Sequence, residues 1–370
     1  TYALARLQPS IVYLGNSRTE LGLPTRMPMF AGRTVFNGAL SGGSVGDAIV
    51  MADHAARMGR LQTVVWGIDA PSFSMAAGAA ELEPGLTAAG PLFFIRRTLL
   101  DLKRGLTVDM TRDSLLLLAG RFGAVCRSSL AFNGQRDEAC LKERFAGRNG
   151  TGDAMSPRLA EFIRGEGPTP AALTALETSL ASLCKNRTRV RLYINPTHAL
   201  TLDALYWSGK WTAMEDWQRS LVALGERRRR AGCDLRLVDF SGYNSITSEA
   251  VPQVSRRKEM QHYWEASHYR VDVGGMILAR LFGGAGQIVP DDFGVELDGA
   301  SLAAHLAAMR AARERYHLEH PQETAFVRAI AASVAASRPS LPSSLAAAPP
   351  PFAAAPPPLA AAPLSASAQP

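Results

Sequence analysis

The chain has 370 residues, of which 47% are hydrophobic and 20% are charged, and its formal net charge is +7. This composition excludes a disordered chain, a collagen-like chain and a small disulfide-rich domain. The positive charge favours anionic partners, but acidic and basic residues are interleaved and only residues 227–230 and 256–258 form basic clusters. Because no zinc-finger spacing or aromatic RNA-binding motif accompanies these clusters, we expect no nucleic-acid partner.

Short apolar runs in the first 70 residues predict three buried strands. The predicted strands are Ile11–Leu14, Val35–Phe36 and Thr63–Ile68. Glycines follow the second strand, and a helical pattern from about Val45 to Met58 leads to the third. Strands that alternate with helices indicate a parallel sheet covered on both faces, so residues 1–70 are predicted to form the first half of an α/β domain.

The middle of the chain is predicted to be mainly helical. Residues from Phe93 to about Gly120 and from Ala171 to Leu183 have a helical pattern, whereas the stretch between them, as far as Gly152, is rich in glycine and charge and has little periodicity. We therefore predict that residues 71–187 form a helical insertion or cap between two strands of the sheet.

The sheet is predicted to resume after this insertion. Arg189–Ile194 and Leu235–Phe240 are the predicted strands, Ala213–Ala231 is a helix between them, and further helices follow at Val271–Phe282, Ser301–Arg313 and Ala325–Ala336. Residues 188–338 then complete the domain. Residues 339–370 contain ten of the 23 prolines and no charged residue, so we predict a disordered Ala/Pro-rich tail.

The four cysteines leave the redox state open. They show no CxxC spacing, which gives no support to thioredoxin chemistry or a paired-knuckle zinc site. Their spacing is compatible either with two disulfides or with buried free thiols. No run of about 18 apolar residues could span a bilayer, and no signal-peptide pattern is present. The chain begins at Thr1 and enters a predicted strand within about ten residues, so we expect that a leading segment has been removed.

Small and polar residues follow the end of every predicted strand, which is where ligands bind in doubly wound sheets. Ser17 lies two residues after Gly15, where a turn from strand to helix can expose its hydroxyl. A serine becomes a nucleophile when a histidine takes its proton and a carboxylate orients the histidine. Glu265 and His268 have a spacing of three and can serve these roles, although a helix cap for Ser17 and a surface position for His268 are the competing interpretations.

The combination of motifs resembles the SGNH (GDSL-like) hydrolase superfamily, and more closely its membrane-anchored bacterial envelope proteins of the alginate-acetylation and teichoic-acid D-alanylation types. The motifs are GNSR at 15–18, Asn37-Gly38 with SGG at 41–43, GID at 67–69 and ExxHYR at 265–270. The likeness covers roughly residues 9–75 and 188–283.

This resemblance implies a flavodoxin-like three-layer sandwich with a parallel sheet, interrupted here by the helical insertion. It implies an esterase or O-acyltransferase that acts on acyl esters of envelope carbohydrate, with a membrane-bound acyl-donor protein as a partner and no cofactor. It also implies a periplasmic location and an N-terminal anchor absent from this chain.

Position by position, the resemblance assigns Ser17 as the nucleophile, His268 as the base and Glu265 as the counterpart of the family's aspartate. Gly38 or Gly42 would supply an oxyanion-hole N–H beside that of Ser17.

Three departures from the family pattern bear on activity. Asn16 replaces the usual aspartate of GDS, Glu265 is one methylene longer than aspartate, and Asp69 lies where the family normally has an asparagine. An anionic Asp69 facing the reaction centre would repel an oxyanion. The alternative function is therefore a non-catalytic envelope binding or assembly protein that keeps the fold.

Other polar residues near the strand ends are predicted to contact the substrate. They are Arg18, Asn37, Asp69, Asn195, His198 and Arg270. The two arginines flank the proposed catalytic residues and could hold an anionic group, although solvated arginines are commoner. His198 could equally well cap the helix that follows it.

Other catalytic patterns fit less well. The nucleophile elbow GxSxG of α/β-hydrolases fails because Thr19 occupies the second glycine position. No P-loop, GxGxxG or HExxH motif is present, and His262 and His268 lack a helical metal-ligand spacing. We therefore expect no nucleotide and no metal.

Overall fold

The computed structural model describes residues 1–58, 60–75, 92–121, 133–145, 152–252, 260–284 and 287–337, together with residues 82, 87 and 90. Its strands are β1 Ile11–Leu14, β2 Val35–Asn37, β3 Thr63–Ile68, β4 Arg189–Ile194, β5 Leu235–Asp239, β6 Tyr263–Glu265, β7 His268–Tyr269 and β8 Val295–Glu296. Six of them form a mixed sheet in the order β2-β1-β3-β4-β5-β8, and β6 and β7 form a separate antiparallel pair.

Thirteen α-helices lie within the described residues. They are α1 Tyr2–Leu7, α2 Ser17–Gly22, α3 Val45–Met58, α4 Phe93–Gly105, α5 Val108–Leu118, α6 Glu138–Phe145, α7 Gly152–Arg164, α8 Pro170–Lys185, α9 Ala199–Trp207, α10 Trp211–Arg230, α11 Val271–Phe282, α12 Leu302–Glu319 and α13 Pro321–Ala336.

Strands β1 to β5 are mutually parallel, and β8 adds to β5 in the antiparallel direction. The order 2-1-3-4-5 is that of flavodoxin-like doubly wound sheets, in which ligands bind at the carboxyl ends of the strands beside the β1/β3 switch point. Short, fully buried apolar strands explain the parallel arrangement, since such strands must be covered on both faces.

Alternate residues of β1 enter two separate cores. Val12 and Leu14 pack in the core that contains α3, α8 and α10, whereas Ile11 and Tyr13 pack in the core that contains α7, α9, α11 and α13. This alternation follows from the two-residue period of a strand. Helices therefore cover both faces of the sheet, and the predicted α/β class is confirmed.

Several elements differ from their predicted extents. The helical pattern from Phe93 to Gly120 is two helices, because Thr107 accepts a hydrogen bond from the N–H of Met110 and begins α5. Helices α6, α7 and α9 and the β6–β7 hairpin were not predicted as elements. The Ala/Pro-rich tail predicted for residues 339–370 lies outside the described residues.

The predicted insertion contributes to the main fold as well as to the site. Helix α8 packs in the first core between α3 and α10, and it is the crossover that joins β3 to β4. Helix α7 packs against α9 and α13 in the second core. Residues 71–187 therefore include two helices that cover the sheet.

A disulfide joins Cys184, near the end of α8, to Cys233, just before β5. This bond is compatible with an extracytoplasmic location, where disulfides persist. Among the residues that the structure describes, no helix combines the length and apolar character needed to cross a membrane.

Candidate active site

The chain turns abruptly from β1 into α2, and this turn exposes Ser17. Gly15 has a φ of +145°, and a Cβ at this position would lie 2.5 Å from Thr19 Oγ1 and 2.8 Å from the carbonyl oxygen of Gly67. Only glycine fits such a backbone. The side chain of Asn16 caps α2 by accepting a hydrogen bond from the N–H of Arg18 at 3.0 Å. Between residues 11 and 25, Ser17 is the one residue that is not buried.

His268 approaches Ser17 from the β6–β7 hairpin. Glu265 and His268 lie opposite each other in the antiparallel pairing of these strands. The Nε2 atom of His268 lies 2.7 Å from Ser17 Oγ, and its Nδ1 atom contacts Glu265 Oε1. A carboxylate at Nδ1 favours a proton on that nitrogen, so Nε2 can accept the serine proton. The structure thus brings the three predicted catalytic residues into one hydrogen-bonded chain.

Ser267, which was not predicted as a site residue, donates hydrogen bonds to the carboxylate of Glu265. Its N–H donates to Glu265 Oε2 at 3.0 Å and its hydroxyl donates to Oε1 at 2.8 Å. The Ser267 hydroxyl also lies 3.0 Å from His268 Nδ1. Ser267 lies inside the ExxH motif, and this position was the only signal in the sequence for its role. The spacing does not show in which direction the serine side chain points, so the role could not be predicted.

Glu265 is buried, and its ionised form is nevertheless favoured. Burial raises the pKa of a carboxyl group, but the charge of His268 and the hydrogen bonds from His268 and Ser267 outweigh it and lower the pKa of Glu265 to about 2. Glu265 is therefore an anion at neutral pH, as a residue that stabilises an imidazolium must be.

A buried network of hydroxyl groups joins the helix that begins at Ser17 to the hairpin that carries His268. Thr19 Oγ1 lies 2.9 Å from the hydroxyl of Tyr193, which lies 3.1 Å from the hydroxyl of Tyr269, the residue after His268. Tyr269 in turn donates to Asn195 Oδ1 at 3.1 Å. This network helps to position Ser17 relative to His268.

Asp69 is buried among three donors. Arg18 Nη1 and Asn16 Nδ2 each lie 2.9 Å from its Oδ2 atom, and Asn195 Nδ2 lies 3.2 Å from the same atom. The side chains of Arg18 and Asp69 are 5% and 4% exposed, so this is a buried ion pair. The carboxylate that would repel an oxyanion if it faced the reaction centre is instead paired with the guanidinium of Arg18, the residue after Ser17.

A cavity of about 710 Å³ opens beside Ser17 and His268. The turn from Ser41 to Ser44 forms a second side of this cavity. A third side comes from the predicted insertion, through Leu141 of α6 and Phe162 of α7. The site is therefore a cleft between the sheet edge and the insertion.

Arginines on the cavity wall are matched by carboxylates. Arg136 Nε donates to Glu20 Oε1 at 2.7 Å, and Arg158 pairs with Glu161 at 2.7 Å. Together with the Arg18–Asp69 pair, these contacts balance much of the positive charge at the site. Sequence analysis missed Arg136 and Arg158 because no local pattern links the insertion to the strand ends.

Two predicted oxyanion donors have different surroundings. Gly42 lines the cavity and has a φ of +72°. The N–H of Gly38, in contrast, donates to the carbonyl of Tyr13 at 2.9 Å. Gly38 is therefore excluded as a donor to a substrate, because its N–H is already used next to the sheet.

The remaining predicted substrate contacts have structural partners. Asn37 Nδ2 donates to the carbonyl oxygens of Thr19 and Leu23, at 3.0 and 3.3 Å, and fastens β2 to α2. Asn195 Nδ2 donates to the carbonyl of Ile68 and to Asp69. Both side chains are buried and hold the strand ends together.

His198 and Arg270, which were predicted to contact the substrate, also have structural partners. His198 Nδ1 accepts the N–H of Leu200 and caps α9, and burial lowers the pKa of His198 to about 4. The guanidinium of Arg270 lies 4.2 Å from the ring centre of Trp264. Neither His198 nor Arg270 is among the described residues that line the cavity. The prediction that they contact a substrate there is therefore not supported.

Comparison with models of known protein families and with curated proteins finds no match to this chain.

Proposed function

We propose that the protein is a serine esterase or O-acyltransferase of the SGNH-like type that acts on acyl esters of cell-envelope carbohydrate. The observation that carries this proposal is the chain Ser17–His268–Glu265, with 2.7 Å between Ser17 Oγ and His268 Nε2 at the edge of the cavity. The nucleophile after β1, the base just before α11 and the strand order 2-1-3-4-5 are the arrangement that the SGNH resemblance implies.

The proposed reaction begins with transfer of the Ser17 proton to His268 Nε2 as Ser17 Oγ attacks the ester carbonyl. The carbonyl electron pair moves to oxygen, and the N–H groups of Ser17 and Gly42 are the proposed donors to that oxyanion. Glu265 stabilises the imidazolium of His268. The intermediate then collapses, the bond to the leaving oxygen breaks, and His268 gives its proton to that oxygen, which departs as the alcohol.

The acyl group is now an ester of Ser17. His268 takes a proton from a water molecule or a second alcohol as its oxygen attacks the acyl carbon. The bond between that carbon and Ser17 Oγ then breaks, and His268 returns the proton to Ser17 Oγ. Hydrolysis and transfer therefore share the acyl-enzyme and differ only in the acceptor. The cavity volume of about 710 Å³ supports an acceptor larger than water, such as a sugar hydroxyl.

The pairing of Asp69 with Arg18 supports an enzyme over a non-catalytic binding protein. Asp69 was the feature that favoured the binding protein, because an unpaired carboxylate would oppose the oxyanion. A carboxylate held by Arg18, Asn16 and Asn195 has its charge compensated and its Oδ2 atom engaged. The extracytoplasmic location that the proposal requires is compatible with the Cys184–Cys233 disulfide.

The direct test is incubation with p-nitrophenyl acetate. We expect burst release of nitrophenol and an acetyl group on the Ser17-containing peptide by mass spectrometry. Ser17→Ala should abolish both signals with little change in the melting temperature. His268→Ala should also abolish them, but with a lower melting temperature, because it leaves the buried carboxylate of Glu265 without its partner. Absence of burst and turnover in the folded wild-type protein would overturn the proposal and favour the envelope binding or assembly protein.

A further inference from the structure

Helices α4 and α5 expose an unusual number of large apolar side chains. Phe94, Ile95, Leu99 and Leu102 of α4 are between 45% and 61% exposed. Helix α5 has no buried residue, and Val108 at its start and Leu118 at its end are each 85% exposed. Soluble proteins rarely expose contiguous apolar patches of this kind unless another molecule covers them.

The exposed apolar side chains of α4 occupy one face of the helix, and one of them, Phe94, also packs edge to face against Tyr2 of α1 at a ring-centre distance of 5.8 Å. At 100° per residue, Phe94, Ile95, Leu99 and Leu102 lie within an arc of about 140°. Phe93, which is 3% exposed and lies 5.5 Å from the ring of His54, is on the opposite side of the helix. The helix is thus attached to the body by one side and presents its apolar side outward.

Basic residues border this apolar face. Arg96 and Lys103 are exposed at one edge of the arc, and α4 as a whole contains four basic residues and one acidic residue. Its single acid, Asp101, already pairs with Arg97 at 2.8 Å. An outward apolar face with a basic border is the pattern of helices that lie in the interface of an anionic bilayer.

The start of α4 also lies at the end of α3 that is remote from the candidate active site. Ser44 lines the cavity and directly precedes α3, whereas His54, ten residues later on that helix, contacts Phe93. The rise of an α-helix separates these two positions by about 15 Å. The backbone oxygen of Thr1, which precedes β1, contacts His54 at 3.2 Å and so lies at the same end.

We propose that the α4–α5 hairpin docks on the surface of an anionic lipid bilayer. The apolar side chains of α4 and α5 enter the boundary between headgroups and acyl chains, and Arg96 and Lys103 contact lipid phosphates. Docking of this kind keeps the cavity beside Ser17 on the side of the protein away from the lipid. This docking proposal does not depend on the proposed catalytic function.

The test is co-sedimentation of the full chain with vesicles of phosphatidylcholine alone or mixed with phosphatidylglycerol. We expect tighter binding to the anionic vesicles and weaker binding at high salt. Leu99→Glu/Leu102→Glu should lower affinity by about tenfold or more, and Arg96→Glu/Lys103→Glu should abolish the preference for phosphatidylglycerol. A matched control is Ile288→Glu/Leu318→Glu, which alters two side chains that are 92% and 82% exposed elsewhere.

Unchanged melting temperatures establish that the variants fold. Equal vesicle binding by wild type and Leu99→Glu/Leu102→Glu would overturn the proposal, as would no binding by the wild type at low salt. Light scattering tests whether a second copy of the chain covers this face instead of lipid. If the lipid-free protein is a dimer and Leu99→Glu/Leu102→Glu converts it to a monomer, a second copy covers the face and the membrane proposal is overturned.

Discussion

Arg18 and Asp69 form an ion pair of 2.9 Å that is almost completely buried, although 51 residues separate them. Arg18 directly follows the proposed nucleophile, and Asp69 directly follows β3. The pair therefore fastens the first turn of α2 to the neighbouring strand end. This relationship makes Asp69 part of the structure that supports the turn carrying Ser17.

Replacement of Asp69 by asparagine should destabilise the protein and should not raise its esterase rate. Removal of one partner from a buried ion pair leaves the other charge uncompensated, at a cost of about 3 kcal/mol or more. Thermal unfolding and p-nitrophenyl acetate hydrolysis measured on one preparation test this expectation. Asp53→Asn is the control, since Asp53 lies 3.8 Å from Arg57 with both side chains more than half exposed, and its loss should cost under about 1 kcal/mol. A faster rate in Asp69→Asn would show that Asp69 opposes the oxyanion.

Ser267 should act as a positioning residue for the base. Ser267→Ala removes the hydroxyl that donates to Glu265 Oε1 and should lower kcat about tenfold, which corresponds to roughly one hydrogen bond. We expect little change in KM and a shift in the acid limb of the pH–rate profile, because the surroundings of His268 change. Ser267→Thr keeps the hydroxyl and should restore most of the rate, and Ser220→Ala, on the exposed surface of α10, controls for loss of a serine. An unaltered pH profile in a slower Ser267→Ala protein would indicate a purely structural role.

Glu265 should make stability depend on acid pH. Its pKa is lowered to about 2 in the folded protein, from an ordinary value of 4.5. Its stabilising contribution is therefore present above about pH 4.5 and is lost as the pH falls toward 2, with a size of up to about 3 kcal/mol. The free energy of unfolding of the wild type and of Glu265→Gln, measured by urea denaturation, should converge over this range. A difference that stays constant down to pH 2 would argue against an ionised Glu265 in the folded state.

The Cys184–Cys233 disulfide should stabilise the second half of the sheet. It closes a loop with a sequence separation of 49 residues, and its removal should lower the free energy of unfolding by about 2–4 kcal/mol. Cys184→Ala/Cys233→Ala and the oxidised wild type can be compared by thermal unfolding. Addition of a reductant should lower the melting temperature of the wild type more than that of the double variant. If a reductant leaves the wild type unchanged while free thiols become detectable, the bond contributes no stability.

The five parallel strands, and the grouping of Ser17, His268 and Glu265, could be predicted from short motifs in the sequence and the resemblance that these motifs carry. Apolar runs such as Ile11–Leu14 and Thr63–Ile68 identify buried strands, because a strand covered on both faces leaves a continuous apolar signature. Gly15 before Ser17, and the spacing of three between Glu265 and His268, are also local. The predicted triad therefore depended on short segments whose chemistry can be recognised one at a time.

The partners of the polar residues could not be predicted, because they depend on which strand ends the tertiary structure brings together. Asp69 pairs with Arg18 only because β1 and β3 are neighbours in the sheet, and His198 caps α9 instead of facing the cavity. The insertion forms a cavity wall through Phe162, which lies 145 residues from Ser17 in the chain. Sequence periodicity reports which side of an element is buried, but contacts between distant segments arise from packing, and these contacts determine which polar groups remain available to a substrate.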